Sequence, residues 1–276
     1  MPIPEQELLK IQESLRAALQ GGVKIDYFHR RKTALLVPGQ EPCESCEEVK
    51  AVLEQLADAS DLIDLQVYAF DEERDLATKR QIDRVPGIVV RGEVNRPLRF
   101  FGLPGGALFP VFLQTLVDAS VKSPTPAPEV ARALKKLRKP VQLHVFGSLT
   151  DPHSGEAARL ALRLAVVSPR VRTSVYAIEE FPELGEQFGV QAIPATVVDE
   201  RLGLAGVVED PADFAQYLFE MQAYPDRARL RRPAVRPGTG KPWQRPRSPE
   251  EAGDGQQQQQ HPGERRTASG LILPGS

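Results

Sequence analysis

Hydrophobic and polar positions follow the same order twice along the chain. Each series predicts a strand, a helix, a β-rich run that contains Val-Tyr-Ala, a second short helix, a strand that follows a proline, and an amphipathic helix. Strands that alternate with helices indicate an α/β fold with a mixed or parallel sheet. The predicted elements are the strands 33–38 and 141–146, the helices 44–59 and 154–166, the strands 88–91 and 195–199, and the helices 107–119 and 212–222.

The two series are copies of one another. A shift of 108 residues aligns residues 33–90 with residues 141–198 without gaps. In that register Pro86 falls on Pro194, and the two Val-Tyr-Ala segments coincide. The sequence therefore predicts two tandem units of the same fold.

The remaining segments set the domain boundaries. A helix at 5–20 and an extended segment at 23–28 precede the first copy. The Pro-rich segment between the copies is typical of a stiff hinge, and the end of the chain, rich in Pro, Arg and Gln, cannot bury enough apolar surface to become ordered. The predicted domains are a first unit at 1–121, a hinge at 122–129, a second unit at 130–223 and a disordered tail at 224–276.

Composition excludes several classes of protein. The formal net charge is −2, so no general basic field favours nucleic acid or anionic lipid. No apolar run approaches the roughly 18 residues that a membrane-spanning helix needs. The start, Met1 to Glu5, lacks the basic and apolar regions of a secretory signal, so we expect a cytoplasmic protein.

The sequence contains 2 cysteines, which are spaced as Cys43-Glu44-Ser45-Cys46. In a reducing compartment this spacing indicates catalysis or metal binding rather than a structural disulfide. The pair lies at the predicted start of a helix, where unpaired N–H groups and the helix dipole stabilise a thiolate. We therefore expect Cys43 to be the nucleophile and the deeper Cys46 to resolve the mixed disulfide.

Pro86 lies at a loop-to-strand junction, 43 residues after Cys43, and the second copy repeats this interval. The repetition favours cis peptide bonds before both prolines over ordinary trans prolines that start strands. A cis bond would present the Val85 backbone to an extended substrate peptide beside the thiolate. The predicted substrate-binding residues are this pair and its equivalents in the second copy: Val85, Pro86, Ile193 and Pro194.

In the second copy, the C-x-x-C position holds Asp151-Pro152-His153-Ser154, which contains no sulfur. Asp, His and Ser together suggest a hydrolase, but residues so close in sequence at a helix start rarely form a triad. Asp151 is better explained as a helix N-cap. We expect this unit to shape a groove or to hold the active unit in position.

Taken together, three motifs resemble a known family. They are the C-x-x-C, the segment from Gln81 to Pro86, and the segment from Arg99 to Gly106. Over about residues 5–222 the chain resembles the cytosolic protein disulfide oxidoreductases of hyperthermophile type, which fuse two thioredoxin-fold units of glutaredoxin-like sequence. It is also similar to the N-terminal domain of the alkyl hydroperoxide reductase flavoprotein, whose active centre lies in the second unit.

The resemblance implies an α/β fold of two tandem thioredoxin-like units, each with a central mixed sheet flanked by helices, plus the disordered tail. It implies attacking and resolving roles for Cys43 and Cys46, and cis-prolines at Pro86 and Pro194. The implied function is that of a thiol-disulfide oxidoreductase that reduces protein disulfides or relays electrons. The second C-x-x-C of the disulfide oxidoreductases is absent, which argues against isomerase activity.

The implied partners are disulfide-containing proteins and a thioredoxin-reductase-like flavoprotein that uses NADPH. No bound cofactor is expected beyond the Cys43–Cys46 disulfide, because the Gly102 to Gly106 segment lacks the spacing of a dinucleotide-binding loop. Four carboxylates surround the thiols, and they predict a raised thiol pKa and a slow, reducing centre, or else they only solvate the first turn of the helix. They are Glu41, Glu44, Glu47 and Glu48.

Two alternatives stay open from the sequence. One is an adaptor without redox activity that binds a peptide or protein beside Val85 and Ile193. The other is a metal or cluster site in which Cys43 and Cys46 are completed by a second subunit. The histidines that could have served as further ligands are not at ligand spacing: His29, His144, His153 and His261. The sequence does not define the oligomeric state.

Overall fold

The computed structural model describes residues 3–31, 42–200, 202–226 and 232–238. The first unit runs from α1 to α4 and the second from α5 to α8. The elements of the first unit are α1 (Glu5–Ala18), β1 (Val23–His29), α2 (Cys46–Ala57), β2 (Ile63–Ala69), α3 (Arg74–Arg80), β3 (Gly87–Arg91), β4 (Leu98–Phe101), a 3-10 turn (Gly106–Leu108) and α4 (Phe109–Ser120). Those that follow are α5 (Pro128–Lys135), β5 (Val141–Gly147), α6 (Pro152–Val167), β6 (Val171–Ala177), α7 (Pro182–Gln187), β7 (Ala195–Val198), β8 (Leu202–Ala205), β9 (Val207–Val208), α8 (Pro211–Ala223) and β10 (Val235–Arg236).

All four helices of the second unit begin at a proline. The ring fixes φ near the helical value, and the missing N–H would have no partner in the first turn anyway. These helix starts therefore follow from the local sequence. The prolines are Pro128, Pro152, Pro182 and Pro211.

The two units have the same strand arrangement and share one sheet. In each unit the first strand pairs in parallel with the second and antiparallel with the third, and a fourth strand extends the hairpin. Strands β4 and β6 then pair in parallel, which produces one eight-stranded sheet of order β2-β1-β3-β4-β6-β5-β7-β8. The repeat predicted from the sequence has three strands in each unit and lacks the fourth, β4 or β8.

The first strand of the first unit is β1, the segment that the sequence analysis placed ahead of the first copy. Tyr27 pairs with Val67 as Val145 pairs with Val175, so β1 and β5 are equivalent. The run 33–38, predicted to be that strand, lies outside the described residues. Because Cys43 follows the end of β1 by 14 residues and Asp151 follows the end of β5 by only four, the gapless shift aligned the wrong segment.

Helices cover both faces of the shared sheet. Side chains from α1, α2, α4, α6 and α8 pack against one face in a continuous apolar core, and α3 and α7 cover part of the other. None of the helices in the described part of the chain is both long and apolar enough to cross a bilayer. Val235–Arg236, which the sequence analysis assigned to the disordered tail, pairs with β9 instead.

Candidate redox site

The two cysteines form a disulfide, with the sulfur atoms 2.03 Å apart and the Cα atoms 5.5 Å apart. Helix α2 begins at Cys46, and Cys43 lies three residues before it. The sequence predicts Cys43 at the helix start. The structure differs because the first helical hydrogen bond of this segment runs from the Val49 N–H to the Ser45 carbonyl, so residues before Ser45 lie outside the helix.

The two sulfur atoms have different surroundings. Cys46 is 1% exposed, whereas Cys43 is only half-buried. The Arg30 N–H donates to the Cys46 sulfur at 3.4 Å, and the Tyr27 hydroxyl donates to the Cys46 carbonyl at 2.6 Å. Burial and the neighbouring Glu47 raise the pKa of Tyr27, so its phenol keeps its proton and can donate. Cys43 is thus the sulfur that a second molecule can reach.

Both peptide bonds before the motif prolines, Val85–Pro86 and Ile193–Pro194, are cis. Gly87 pairs with Phe28 near the end of β1, and the Arg30 N–H that contacts the Cys46 sulfur follows two residues later. The register of β1 and β3 therefore places the Val85–Pro86 bond at the same end of the sheet as the disulfide. Val85 is half-buried.

In the second unit a hydrogen bond stands where the first unit has a disulfide. The Ser154 hydroxyl donates to the Asp151 carboxylate at 2.7 Å, and the Ser148 N–H donates to the Ser154 oxygen at 3.0 Å. Ser154 is completely buried, like Cys46. Asp151 occupies the N-cap position of α6 as expected, but its side chain binds the Ser154 hydroxyl instead of capping a backbone N–H.

His153 does not join that pair. Its Nδ1 lies 3.4 Å from a Glu156 carboxylate oxygen instead. Within the described residues, Ser154 has no histidine partner, so the three residue types do not form a hydrolytic triad.

Other parts of the chain cover the second unit's site. A Cβ added at Gly238 would lie 2.3 Å from the Ile193 carbonyl oxygen, so the segment after β10 lies directly on the Ile193–Pro194 backbone. The Ala107 N–H donates to the Leu149 carbonyl at 2.8 Å. The loop that follows β4, including the Gly102 to Gly106 segment, is therefore packed against the second unit.

Glu180, in the loop between β6 and α7, reaches the redox site from the second unit. The Ser45 hydroxyl and the Leu103 N–H both donate to its carboxylate. Burial raises the pKa of Glu180. The preceding residue, Glu179, accepts a hydrogen bond from the Leu149 N–H at 3.0 Å beside the sulfur-free site. No sequence pattern distinguishes these two glutamates, because only the packing of the units assigns one to each site.

The carboxylates expected around the thiols differ in exposure. Glu44 and Glu47 are exposed and Glu48 is half-buried, while Glu41 lies outside the described residues. Solvent screens exposed charges, so the charge of the half-buried Glu180 is screened less than those of Glu44 and Glu47.

The geometry does not complete a metal site within the described residues. No group of three or more His, Cys, Asp or Glu side chains is placed to hold a metal ion there. His29 stacks on Tyr27 at the end of β1, and His144 lies in the middle of β5. His261 lies outside the described residues.

The chain is similar to known proteins at the level of fold. The family described as "Thioredoxin domain" matches residues 150–219. The alkylhydroperoxide reductase component AhpF of Enterococcus faecalis superposes with a TM-score of 0.67 at 19% identity, over 79% of this chain and 100% of that one. A protein disulfide oxidoreductase from Aeropyrum pernix superposes with a TM-score of 0.67 at 19% identity, over 80% and 94% of the two chains. Comparison with curated proteins finds no match.

These comparisons show the fold predicted from the resemblance. The chain consists of two tandem thioredoxin-like units, each with a mixed sheet flanked by helices. The family match covers the second unit, whereas the C-x-x-C lies in the first. Both units have the thioredoxin-like fold, and the cysteine pair lies in the first.

Proposed function

We propose that this thioredoxin-fold protein uses the Cys43–Cys46 pair to reduce disulfides in other proteins or to relay electrons between proteins, in the cytoplasm. The observation that carries the proposal is the difference in burial between the two sulfur atoms at the start of α2. Cys43 is accessible enough to attack another molecule, and Cys46 is buried behind it at 1% exposure. Catalytic C-x-x-C pairs need this division of roles.

The reaction starts from the dithiol. The Cys43 thiolate attacks one sulfur of the substrate disulfide, and the second substrate sulfur leaves as a thiolate and takes up a proton. Cys46, after losing its proton, then attacks the Cys43 sulfur. The first substrate thiol leaves and the Cys43–Cys46 disulfide forms, so two electrons pass to the substrate. The Arg30 N–H donates to the Cys46 sulfur and would stabilise its thiolate during the second step.

Substrate binding is assigned to the backbone beside the cis peptide bond of the first unit. An extended peptide can pair with Val85, which lies at the same end of the sheet as the disulfide. The equivalent Ile193 and Pro194 were also predicted to bind substrate. Gly238 lies against the Ile193 carbonyl. We therefore limit the proposed substrate site of this chain to Val85 and Pro86.

The oxidised pair has to be reduced again after each cycle. We propose an NADPH-dependent flavoprotein of the thioredoxin-reductase type as the electron donor, which passes two electrons to the Cys43–Cys46 disulfide through a dithiol of its own. The likeness to AhpF of an alkylhydroperoxide reductase supports a place in such a relay. Isomerase activity is not part of the proposal, because the second unit carries Asp151 and Ser154 in place of cysteines.

The test is the reduction of insulin disulfides with dithiothreitol as the electron source. We expect the intact protein to accelerate the reaction, and Cys43→Ser, Cys46→Ser and the double variant to fall to the rate of dithiothreitol alone. The Cys46→Ser variant should also trap a mixed disulfide through Cys43, and Cys43→Ser should not. The double variant is the matched control for folding.

The result can contradict the proposal in two ways. Insulin reduction by the intact protein no faster than by dithiothreitol alone would exclude a general reductase, and a dedicated relay would be left if thiol titration still finds the Cys43–Cys46 disulfide. Failure of that disulfide to form would favour the adaptor or the shared metal site.

A further inference from the structure

A cavity of about 580 Å³ lies on the face of the sheet that α3 and α7 partly cover. Its volume is within the range of pockets that hold small organic ligands. Cys43, Cys46 and Arg30, whose N–H contacts the Cys46 sulfur, are not among the described residues that line it. Its walls come from both units and include Phe70, Ile82, Arg99, His144, Ser174 and Tyr176.

Arg99, on β4, is a buried cation in this wall. Its side chain is 3% exposed, its Nε donates to the Arg80 carbonyl at 2.8 Å, and one Nη donates to the Gln81 side chain at 2.6 Å. The other Nη is buried and has no hydrogen-bond partner among the described residues. Burial, together with nearby Arg172, lowers the pKa of Arg99 to about 10, so it stays charged at neutral pH. A buried charge of this kind is costly unless something pairs with it.

His144, on β5, has a second unpaired polar atom in the same wall. Its Nδ1 lies 3.1 Å from the Tyr176 hydroxyl, and its Nε2 is buried without a partner among the described residues. Burial lowers the pKa of His144, so the ring is neutral. In the tautomer in which Nδ1 accepts the proton of the Tyr176 hydroxyl, the ring carries its own hydrogen on Nε2, which is then a donor.

The equivalent position in the first unit has no such unpaired atom. Pairing of β1 with β2 and of β5 with β6 makes Asp26 the counterpart of His144. Asp26 is 1% exposed, and it accepts hydrogen bonds from Arg80 at 2.6 Å and from Arg91 at 2.8 Å. In the first unit, side chains of the chain itself therefore provide hydrogen-bond partners for the buried group at this position. In the second unit the described residues provide none for His144 Nε2.

The other charges at the cavity are mostly compensated. Arg74 pairs with Asp71, and Asp83 pairs with Arg84. Glu200 is exposed at the edge. The carboxylates of Glu200, Asp83 and Asp199 also act on His144. Among the described residues of the wall, Arg99 is the buried cation that lacks a carboxylate partner.

We infer that this cavity binds a small organic molecule through a carboxylate or phosphate group, which accepts hydrogen bonds from Arg99 and His144. An oxyanion is the class of group that both donors and the buried positive charge favour. The apolar side chains of Phe70 and Ile82 would contact the rest of the molecule. The site is distinct from the redox pair, and it does not depend on the proposed reductase activity.

The experiment is isothermal titration of the full-length oxidised protein with inorganic phosphate and, separately, with acetate, at constant ionic strength set by chloride. We expect saturable binding at one site for at least one probe, and which probe binds distinguishes phosphate from carboxylate recognition. Arg99→Gln and His144→Phe should each weaken binding at least about tenfold, because each variant loses one buried hydrogen bond to the anion. The lost bond is charge-assisted for Arg99 and neutral for His144. Arg99→Lys, which keeps the charge, should bind more tightly than Arg99→Gln.

Arg132→Gln is the matched control, because Arg132 is an exposed arginine paired with Glu129 on α5 and its loss changes the net charge equally. It should bind the probe as the wild type does. Thermal unfolding of each variant checks that it folds. If Arg99→Gln does not fold, the His144→Phe variant still tests the site. Binding of neither probe, or equal binding by the wild type and a folded Arg99→Gln or His144→Phe variant, would overturn the inference.

Discussion

The first and second units place the same backbone around two sites with different chemistry. Both have a cis peptide bond before the third strand, one completely or nearly buried residue at the helix start, and a partner three residues earlier. In the first unit the pair is joined by a disulfide, and in the second by a hydrogen bond between Ser154 and Asp151. The thioredoxin fold therefore does not by itself create a redox centre, which depends on the side chains placed at these two positions.

The two sites also differ in what covers them. Ile193 is 7% exposed and has Gly238 against its carbonyl, whereas Val85 is only half-buried. The adjacent residues Glu179 and Glu180 divide between the sites, since the first contacts the Leu149 N–H and the second contacts Ser45. The second unit thus supplies a carboxylate to the surroundings of the Cys43–Cys46 disulfide, while its own equivalent site is covered by the chain.

The largest effect is expected when the first unit is given the pair of the second. Cys43→Asp combined with Cys46→Ser should abolish insulin reduction entirely, because no cysteine remains in the chain to exchange. The fold should persist, since the second unit has the same fold with Asp151 and Ser154 at these positions, and circular dichroism and urea unfolding measure this. Residual acceleration over dithiothreitol would show that the Cys43–Cys46 pair is not the only source of activity.

A second prediction concerns the buried ion pairs of Asp26, the counterpart of His144. Asp26→Asn leaves the Arg80 and Arg91 guanidiniums without their carboxylate, and it should lower the free energy of unfolding by about 3 kcal/mol. Urea unfolding at neutral pH measures the change. Asp64→Asn is the control, since the exposed Asp64 contacts Lys24 at 4.0 Å and accepts one exposed hydrogen bond from Gln66, and it should change stability by less than about 0.5 kcal/mol. Similar losses in both variants would contradict the role given to burial.

A third prediction tests the carboxylate that the second unit places at the disulfide. Removing the negative charge in Glu180→Gln should lower the pKa of the Cys43 thiol by about one unit, because a nearby anion disfavours the thiolate. The rate of alkylation of the reduced protein as a function of pH measures that pKa. Glu179→Gln is the matched control and should leave it unchanged. An unchanged or higher thiol pKa in Glu180→Gln would contradict the prediction.

The same substitution should alter the pH dependence of stability. Since burial raises the pKa of Glu180 above 4.5, the folded protein holds this proton more tightly than the unfolded chain does. Its contribution to stability is therefore present below pH 4.5 and is lost as the pH rises through the higher folded pKa. Urea unfolding across that range should show a smaller decline with rising pH for Glu180→Gln than for the wild type.

The smallest effect on activity is expected from the reverse exchange. Asp151→Cys combined with Ser154→Cys should form a second disulfide, which thiol titration before and after reduction would detect. Insulin reduction should stay at the wild-type rate, because Gly238 and the loop after β4 cover the new pair. A clear gain in activity would show that Gly238 and the loop after β4 do not keep substrates from the second site.

Much of the redox site could be predicted from short segments. The C-x-x-C spacing, the start of α2 near Cys46 and the interval to Pro86 depend on residues close in sequence or on an interval repeated in both copies. The first strand was placed wrongly because the gapless repeat assigned it to 33–38, whereas pairing with β2 assigns it to Val23–His29. Strand pairing is a long-range property, so the position of an apolar run in the chain does not by itself decide which strand it pairs with.

The sequence by itself determined the twofold repeat, which shows as a fixed shift along the chain, and the cysteine pair and the two motif prolines, which depend on local residue types. Only the tertiary structure decided that Glu180 belongs to the redox site, that the Gly102 to Gly106 segment packs between the units, and that Arg99 and His144 share a cavity. These relations arise where β4 and β6 pair, although the paired residues Leu98 and Thr173 lie 75 positions apart in the chain. Pairing across that distance leaves no period or spacing in the chain from which it could be read.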